Sequence, residues 1–176
     1  MGFRGSQRQV EHFVDAHYEA LYRYAYRLSG SSADAQDLTQ ETFCKAQANL
    51  VQLRDLERVK PWLFSILRNA YLHRLRSEKQ MPCVSLDGVA EIQDDIPEPP
   101  ADIAPETLQA ALNQLSEEFR TPLVLFYFED FSYRDIAEQL NVPIGTVMSR
   151  LARAKAHLRG KLSRQAVDSR RASSEL

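Results

Sequence analysis

The chain has 176 residues, of which 44% are hydrophobic, and its 22 basic and 24 acidic residues leave a formal net charge of −2. This size suits one ordinary domain or two small helical ones, and the sequence shows neither an apolar run long enough to cross a membrane nor the apolar core of a signal peptide. Two cysteines, Cys44 and Cys83, are too few and too distant for a disulfide framework or a Cys-rich zinc site, so we expect a cytoplasmic protein without a metal or other cofactor.

The N-terminal part, residues 1–80, predicts three helices. Apolar residues follow helical spacing from Val10 to Leu28, and Gly30-Ser31-Ser32 ends this first helix. We interpret His17, on the apolar face, as a core histidine rather than a metal ligand. The second helix is expected from about residue 33 to 53 and the third from near Pro61, a good first-turn residue. The buried face predicted for the second helix consists of Ala35, Leu38, Thr42, Ala46, Leu50 and Leu53.

The opposite side of the second helix carries Asp37, Gln40, Glu41 and Cys44. A pair of carboxylates is compatible with acid–base catalysis, but no nucleophile or histidine lies alongside on this helix. We therefore interpret these residues as a solvated face or as a surface for a partner protein.

The third helix places four chemically distinct side chains along one strip: Trp62, Asn69, His73 and Arg76. An aromatic ring, an amide, an imidazole and a guanidinium together can stack on unpaired bases and hydrogen-bond to them. A tryptophan at the edge of a core is the competing interpretation. The charged loop before this helix, residues 54–60, either cradles a nucleotide or is plain surface.

Residues 81–105 differ from the rest of the chain, because they contain five prolines, six acidic residues and no basic residue. Proline removes backbone donors and like charges repel, so this segment is predicted to be a flexible linker without a core of its own. The fold class predicted is therefore all-α, with two small helical domains at 1–80 and 106–176.

The second domain contains the sequence pattern of a helix-turn-helix. Ser132 and Asp135 form a predicted capping box at the start of one helix, Asn141-Val142-Pro143 ends it, and Gly145 and Thr146 open the next. A short capped helix, a tight turn and a long basic helix are typical of domains that read DNA in the major groove.

The last helix has one face for the core and one for a ligand. Val147, Leu151, Ala154, Leu158 and Leu162 recur at helical spacing and face inward, while the side opposite carries Met148, Ser149, Ala152, Arg153, Ala156 and Arg159, flanked by Arg150 and Lys155. A solvated basic face is the alternative to DNA binding. We favour DNA because of the turn in front, with Arg153 as the base reader and Arg150, Lys155 and Arg159 as phosphate contacts.

From about residue 164 we expect a frayed helix end and then disorder.

Three segments together resemble a known family: AQDLTQETF at 35–43, PWLFSILRNAYLHRLR at 61–76 and, after the acidic linker, FSYRDIAEQLNVPIGTVMSRLARAKAHLRGKL at 131–162. In this order they are similar to the extracytoplasmic-function class of bacterial RNA polymerase sigma factors. The resemblance implies a first domain that binds the clamp helices of core RNA polymerase and opens the −10 element of promoter DNA. It implies a second domain that reads the −35 element, and it adds an anti-sigma protein to the partners to be tested.

By this resemblance, the polymerase-binding residues are Asp37, Gln40 and Glu41; the −10 readers are Asn69 and His73; and the −35 readers are Met148, Ser149, Ala152 and Arg153. The family often has Asp or Asn where this chain has His73, and Arg or a bulky residue at 148 and 152. The promoter sequence is therefore not carried over.

Two other functions are weighed against this one. A helix-turn-helix regulator of the response-regulator output type shares the turn and the recognition helix, but it needs a receiver or sensor domain, and the N-terminal half shows no alternating strands. A helical enzyme built on Asp37, Glu41 and His73 needs a pocket with a nucleophile or metal cluster, and the sequence has neither a phosphate-binding loop nor metal-ligand spacing. We therefore predict a protein that is not an enzyme.

Overall fold

The computed structural model describes residues 2–77 and 103–173, and these two ranges contain seven α-helices and no strand. The chain divides into two compact units, Met1–Met81 and Pro82–Leu176. The all-α prediction is confirmed. The predicted linker at 81–105 lies almost entirely outside the described residues. None of the helices described is both long and apolar enough to cross a bilayer.

Each unit is built from consecutive helices. The N-terminal unit contains α1 (Gly2–Ser29), α2 (Ser32–Ala48) and α3 (Val59–Ser77). The C-terminal unit contains α4 (Pro105–Asn113), α5 (Glu117–Tyr127), α6 (Tyr133–Leu140) and α7 (Ile144–Ser173).

The junction between α1 and α2 is set by two neighbouring residues. Gly30 takes a left-handed conformation, with φ of 73°, and its N–H donates to the carbonyl of Tyr26 at 2.8 Å. Ser31 then caps α2, because its hydroxyl accepts a hydrogen bond from the N–H of Asp34 at 3.3 Å. The predicted stop signal thus both ends one helix and starts the next.

The core of the N-terminal unit lies between its three helices. The rings of Tyr24 on α1 and Phe64 on α3 pack with their centroids 4.9 Å apart, and both side chains are fully buried. The buried Tyr71 donates its hydroxyl to the carbonyl of Leu28 at 2.8 Å, which ties α3 to the end of α1. Burying an aromatic or aliphatic side chain of this size stabilises a fold by roughly 1.5–3 kcal/mol, so these contacts fix α3 against α1.

The second helix is shorter than predicted. It ends at Ala48, and Leu50 and Leu53 are half-buried rather than core residues. Asn49 causes this early end, since its side-chain amide donates to the carbonyl of Lys45 at 2.8 Å and its backbone leaves the helical region, with φ of −113° and ψ of 17°.

The connection to α3 also differs from a plain loop. It contains two 3-10 turns, Leu50–Gln52 and Leu56–Arg58, and the side chain of Asp55 caps the second by accepting from the N–H of Glu57 at 2.9 Å. The following helix begins at Val59, two residues before the predicted start at Pro61. Part of the predicted 54–60 loop is therefore helical.

The C-terminal unit packs α4, α5 and α6 against α7. Its core includes Leu112, Leu125 and Ile136, all fully buried. Arg120 is buried as well, and its Nη2 donates to the carbonyls of Leu115 at 2.7 Å and Asn113 at 3.2 Å. This guanidinium satisfies carbonyl groups that the end of α4 leaves without helical partners.

The last helix continues to Ser173, while the expected fraying and disorder from about residue 164 stay a prediction. The sequence after Leu162 lacks the apolar periodicity of a packed helix, but residues 164–173 contain no Gly or Pro and include two Ala and three Arg, which are good helix formers. Loss of a core-facing stripe therefore does not end this helix.

Candidate nucleic-acid interface

The helix-turn-helix is held by local hydrogen bonds. The Ser132 hydroxyl accepts from the N–H of Asp135 at 3.2 Å, and the Asp135 carboxylate accepts from the N–H of Ser132 at 3.3 Å. At the other end of α6, Asn141 adopts the left-handed conformation, with φ of 53° and ψ of 48°. The N–H of Thr146 donates to the carbonyl of Pro143 at 2.9 Å and so starts α7. The predicted capping box and turn are both confirmed.

The turn fixes which side of α7 is open. All five residues predicted to face inward, Val147, Leu151, Ala154, Leu158 and Leu162, are buried. Met148 is 53% exposed, and Ser149, Ala152 and Arg153 are exposed beside it. The hydroxyl of Ser149 donates to the carbonyl of Thr146 at 3.0 Å, which leaves its oxygen lone pairs for a ligand. That these four side chains contact bases stays a prediction.

The three predicted phosphate contacts differ in their surroundings. Lys155 is exposed, whereas Arg150 pairs with Glu118 of α5 at 3.4 Å and its side chain is only 25% exposed. Arg159 is half-buried and lies with Leu123 and Leu162 along an apolar groove between α5 and α7, at the margin of the exposed face rather than on it. Lys155 is therefore the phosphate candidate that the geometry favours most.

In the N-terminal unit, the strip on α3 is open along most of its length. Asn69, His73 and Arg76 are exposed, while Trp62 is half-buried near the start of the helix. The exposure of the three polar side chains permits contacts with a nucleic acid, and the partial burial of Trp62 also fits an aromatic residue at the rim of a core. The strip is thus formed as predicted, and its role stays a prediction.

The acidic face on α2 is less open than the sequence suggested. Asp37 and Gln40 are exposed, but Glu41 is half-buried and contacts Lys45 at 2.7 Å and Arg74 of α3 at 3.1 Å. The hydrogen bond from Lys45 is the largest cause that lowers the pKa of the Glu41 carboxyl, and the hydrogen bond from Arg74 lowers it further. At neutral pH Glu41 is therefore an ionised group already paired within the unit.

Sequence reasoning missed Arg74. It also lies 3.9 Å from the carboxylate of Asp37 and 4.0 Å from that of Asp34. The pair between Lys45 and Glu41 follows from their spacing of four residues along one helix. Arg74 is 33 residues from Glu41, so only the packing of α3 against α2 reveals their contact.

The carboxylates named in the enzyme alternative contact cations within the N-terminal unit. Among the residues described, no group of three or more His, Cys, Asp or Glu is arranged to hold a metal ion. Asp37 and Glu41 are turned toward Arg74 rather than toward a histidine. His17 is half-buried, and burial is the main cause that lowers its pKa, with Lys60 and His12 adding to the effect.

Two family models match the chain, one in each unit. Residues 13–81 match the model described as Sigma-70 region 2, and residues 106–158 match the model described as Sigma-70, region 4. The first match contains α2, α3 and most of α1. The second contains the helix-turn-helix and the exposed face of α7 up to Leu158.

Comparison with individual proteins agrees with these matches. The chain is 34% identical to the ECF RNA polymerase sigma factor SigE of Mycolicibacterium smegmatis, over 93% of this chain and 65% of that protein. It is 35% identical to the ECF RNA polymerase sigma factor SigL of Mycobacterium tuberculosis, over 82% of this chain and 84% of that protein. Among solved structures, the sigma factor RpoE of Bartonella quintana, in complex with the anti-sigma factor NepR, is similar with a TM-score of 0.71 and 29% identity, covering 89% of this chain and 98% of that chain.

Proposed function

Because this chain belongs to the extracytoplasmic-function class of RNA polymerase sigma factors, we propose that its two units divide the recognition of one promoter between them. The chain is an alternative sigma factor, a DNA-binding initiation factor that directs transcription. In the proposed division, the N-terminal unit binds core RNA polymerase and opens the −10 element, and the C-terminal unit reads the −35 element. We further propose that the chain acts in the cytoplasm, where the polymerase and the DNA are, and that none of its own residues is catalytic.

The helix-turn-helix carries the proposal for the −35 element. A capped α6 and a left-handed Asn141 aim α7 so that Met148, Ser149, Ala152 and Arg153 form one open patch. Small side chains at 149 and 152 let the helix backbone approach the floor of a major groove, and a guanidinium reaches the O6 and N7 atoms of guanine in a bidentate contact. This patch is the single observation on which we base sequence readout by the C-terminal unit.

For the N-terminal unit, we assign polymerase binding to α2 and −10 recognition to α3. Asp37 and Gln40 supply the open part of the polymerase-binding face. Asn69, His73 and Arg76 supply an amide, an imidazole and a guanidinium along one side of α3, which suits unpaired bases and their phosphates. Because α2 and α3 pack on each other, one rigid unit would carry both functions.

We also propose that an anti-sigma protein binds the chain. The support is the similarity to RpoE of Bartonella quintana, whose structure was solved in complex with the anti-sigma factor NepR. The helix-turn-helix regulator of the response-regulator type is not favoured, because region 2 of a sigma factor occupies the part of the chain where such a regulator would need a receiver or sensor domain.

The proposal is tested by mixing the purified full-length chain with core RNA polymerase. We expect the two to co-elute in gel filtration and to transcribe a subset of promoters that core enzyme alone does not transcribe. A chain that neither co-elutes nor confers promoter-specific transcription would disprove the proposed function.

A further inference from the structure

Arg74 is a basic residue of α3, and its side chain lies among the carboxylates of α2. Its guanidinium is 3.1 Å from Glu41, 3.9 Å from Asp37 and 4.0 Å from Asp34, and its side chain is 30% exposed. With Lys45 at 2.7 Å from Glu41, two cations already face three carboxylates in this cluster. The face that is proposed to attract basic groups of the polymerase therefore carries most of its counter-charge within the chain.

Two roles for Arg74 make opposite predictions. If the guanidinium orders the carboxylates for the polymerase, removing it weakens binding. If the guanidinium instead occupies the carboxylates, removing it strengthens binding, because the cations of the polymerase no longer compete with Arg74 for them.

The geometry favours the second role, in which Arg74 occupies the carboxylates, over the first, in which it orders them. The contacts with Asp34 and Asp37 are close to 4 Å and involve carboxylates that are 54% and 68% exposed, so they restrain these side chains weakly. Glu41 also has a shorter contact, at 2.7 Å, with Lys45 of its own helix, and this contact does not involve Arg74. What Arg74 supplies at the centre of the cluster is therefore mainly positive charge.

We propose that Arg74 is an internal competitor of the polymerase for the acidic face of α2. The inference rests on the proposed function of that face. Polymerase cations that engage Asp37 and Glu41 compete with Arg74 for the same carboxylates, so this residue lowers the affinity of the chain for core enzyme and changes the dependence of that affinity on salt.

The test measures binding of the full-length chain to core RNA polymerase in the absence of DNA, at several salt concentrations. Arg74→Gln is expected to bind about two- to fivefold more tightly at low salt, the range typical of one exposed ion pair, and to show a steeper salt dependence. Arg23→Gln is the matched control, because it removes the same charge from an exposed pair whose partner, Glu19, lies on α1. We expect the control to leave binding unchanged, and circular dichroism should show equal helix content in all variants.

A second comparison distinguishes competition for the carboxylates from direct repulsion between Arg74 and basic groups of the polymerase. In a chain that carries Asp37→Asn and Glu41→Gln, Arg74 has little left to occupy, so Arg74→Gln should no longer change the affinity. An increase in affinity that persists in this background, weaker binding of Arg74→Gln or unchanged binding in the native background would each overturn the inference.

The same measurements distinguish this inference from the proposed function. If Asp37→Lys weakens polymerase binding while Arg74→Gln has no effect, the face is used but Arg74 does not compete for it. If neither variant changes the affinity, α2 is not the polymerase-binding face, and both statements fail.

Discussion

Arg153 and Lys155 are two residues apart on α7, yet they point to nearly opposite sides of the helix, because successive residues are offset by about 100°. Arg153 lies with Ser149 and Ala152 on the side turned away from the core, whereas exposed Lys155 lies near the buried stripe. If α7 enters a major groove with its open face toward the bases, Lys155 is left near a phosphate backbone. The two cations should therefore contribute to binding in different ways.

We predict that Arg153→Ala costs about 1–3 kcal/mol of promoter binding and relaxes the base preference at one or two positions of the −35 element. Lys155→Ala should weaken binding to all promoters alike and lower the slope of the salt dependence by about one ion. Selection from randomised −35 sequences, together with binding isotherms at several salt concentrations, measures both effects. The same selected motif for wild type and Arg153→Ala would show that Arg153 reads no base.

At the same scale in the N-terminal unit, Asn69 is the exposed residue of the α3 strip that offers both a donor and an acceptor through its amide. Unstacking a base costs a few kcal/mol, and hydrogen bonds to its exposed edge offset part of that cost. We predict that Asn69→Ala leaves polymerase binding and −35 recognition intact but reduces open-complex formation. Permanganate footprinting of unpaired thymines at the −10 element measures this step.

A promoter with a pre-melted −10 bubble is the control for that experiment, since it should restore part of the loss if strand opening is what Asn69 assists. Equal permanganate reactivity of wild type and Asn69→Ala on duplex promoter would mean that the strip is only the rim of the core.

At the scale of single elements, the sequence predicted correctly those features that depend only on residues close together in the chain. The turn at 141–143 and the buried stripe of α7 follow from a capping box, an Asn-Val-Pro helix stop and a helical repeat, and all three are visible in sequence. The early end of α2 was missed, because the backbone leaves the helical region at Asn49 while the apolar pattern continues through Leu50 and Leu53. Arg74 was missed because its carboxylates belong to another helix, and no periodicity relates residues 33 apart.

The face of α2 gives the prediction for this scale. Of its two carboxylates, Asp37 is the open one, with a side chain 68% exposed, and Glu41 is held by Lys45 and Arg74. Asp37→Lys should therefore weaken binding to core RNA polymerase, with a cost of about 1 kcal/mol and a changed salt dependence. Glu19→Lys is the matched control, since it reverses a charge on an exposed residue of α1. Equal loss of affinity in both variants would indicate a general charge effect rather than a contact at Asp37.

At the scale of the whole molecule, the near-neutral net charge conceals an uneven distribution. Residues 144–171 carry eight basic residues and one acidic residue, Asp168, whereas residues 81–105 carry six acidic residues and no basic one. A DNA-binding protein normally obtains much of its affinity from cations that neutralise phosphates. The segregation lets α7, the helix proposed to read the −35 element, remain basic although the chain as a whole is nearly neutral.

The same segment must connect two sites on the promoter. The names of the −10 and −35 elements place them about 25 base pairs apart, which is roughly 85 Å at ~3.4 Å per pair. A segment of 25 residues, 81–105, averages about 28 Å end to end as a relaxed coil and reaches at most about 85 Å when extended. Because the two units also cover part of that distance, a segment of this length is long enough for one chain to engage both elements.

We predict that the acidic residues of this segment assist transcription initiation on the polymerase. The resemblance to sigma factors implies that the segment passes through a positively charged channel, where carboxylates are attracted and basic side chains would be repelled. Replacing all six acids, Asp87, Glu91, Asp94, Asp95, Glu98 and Asp102, with Ser should lower the rate of transcription initiation without changing the affinity of the C-terminal unit for −35 DNA. Exchanging Asp for Glu and Glu for Asp at the same positions is the control, because it alters the side chains but keeps the charge, and it should retain the wild-type rate. Equal initiation rates for the Ser variant and wild type would show that the charge of this segment plays no part in initiation.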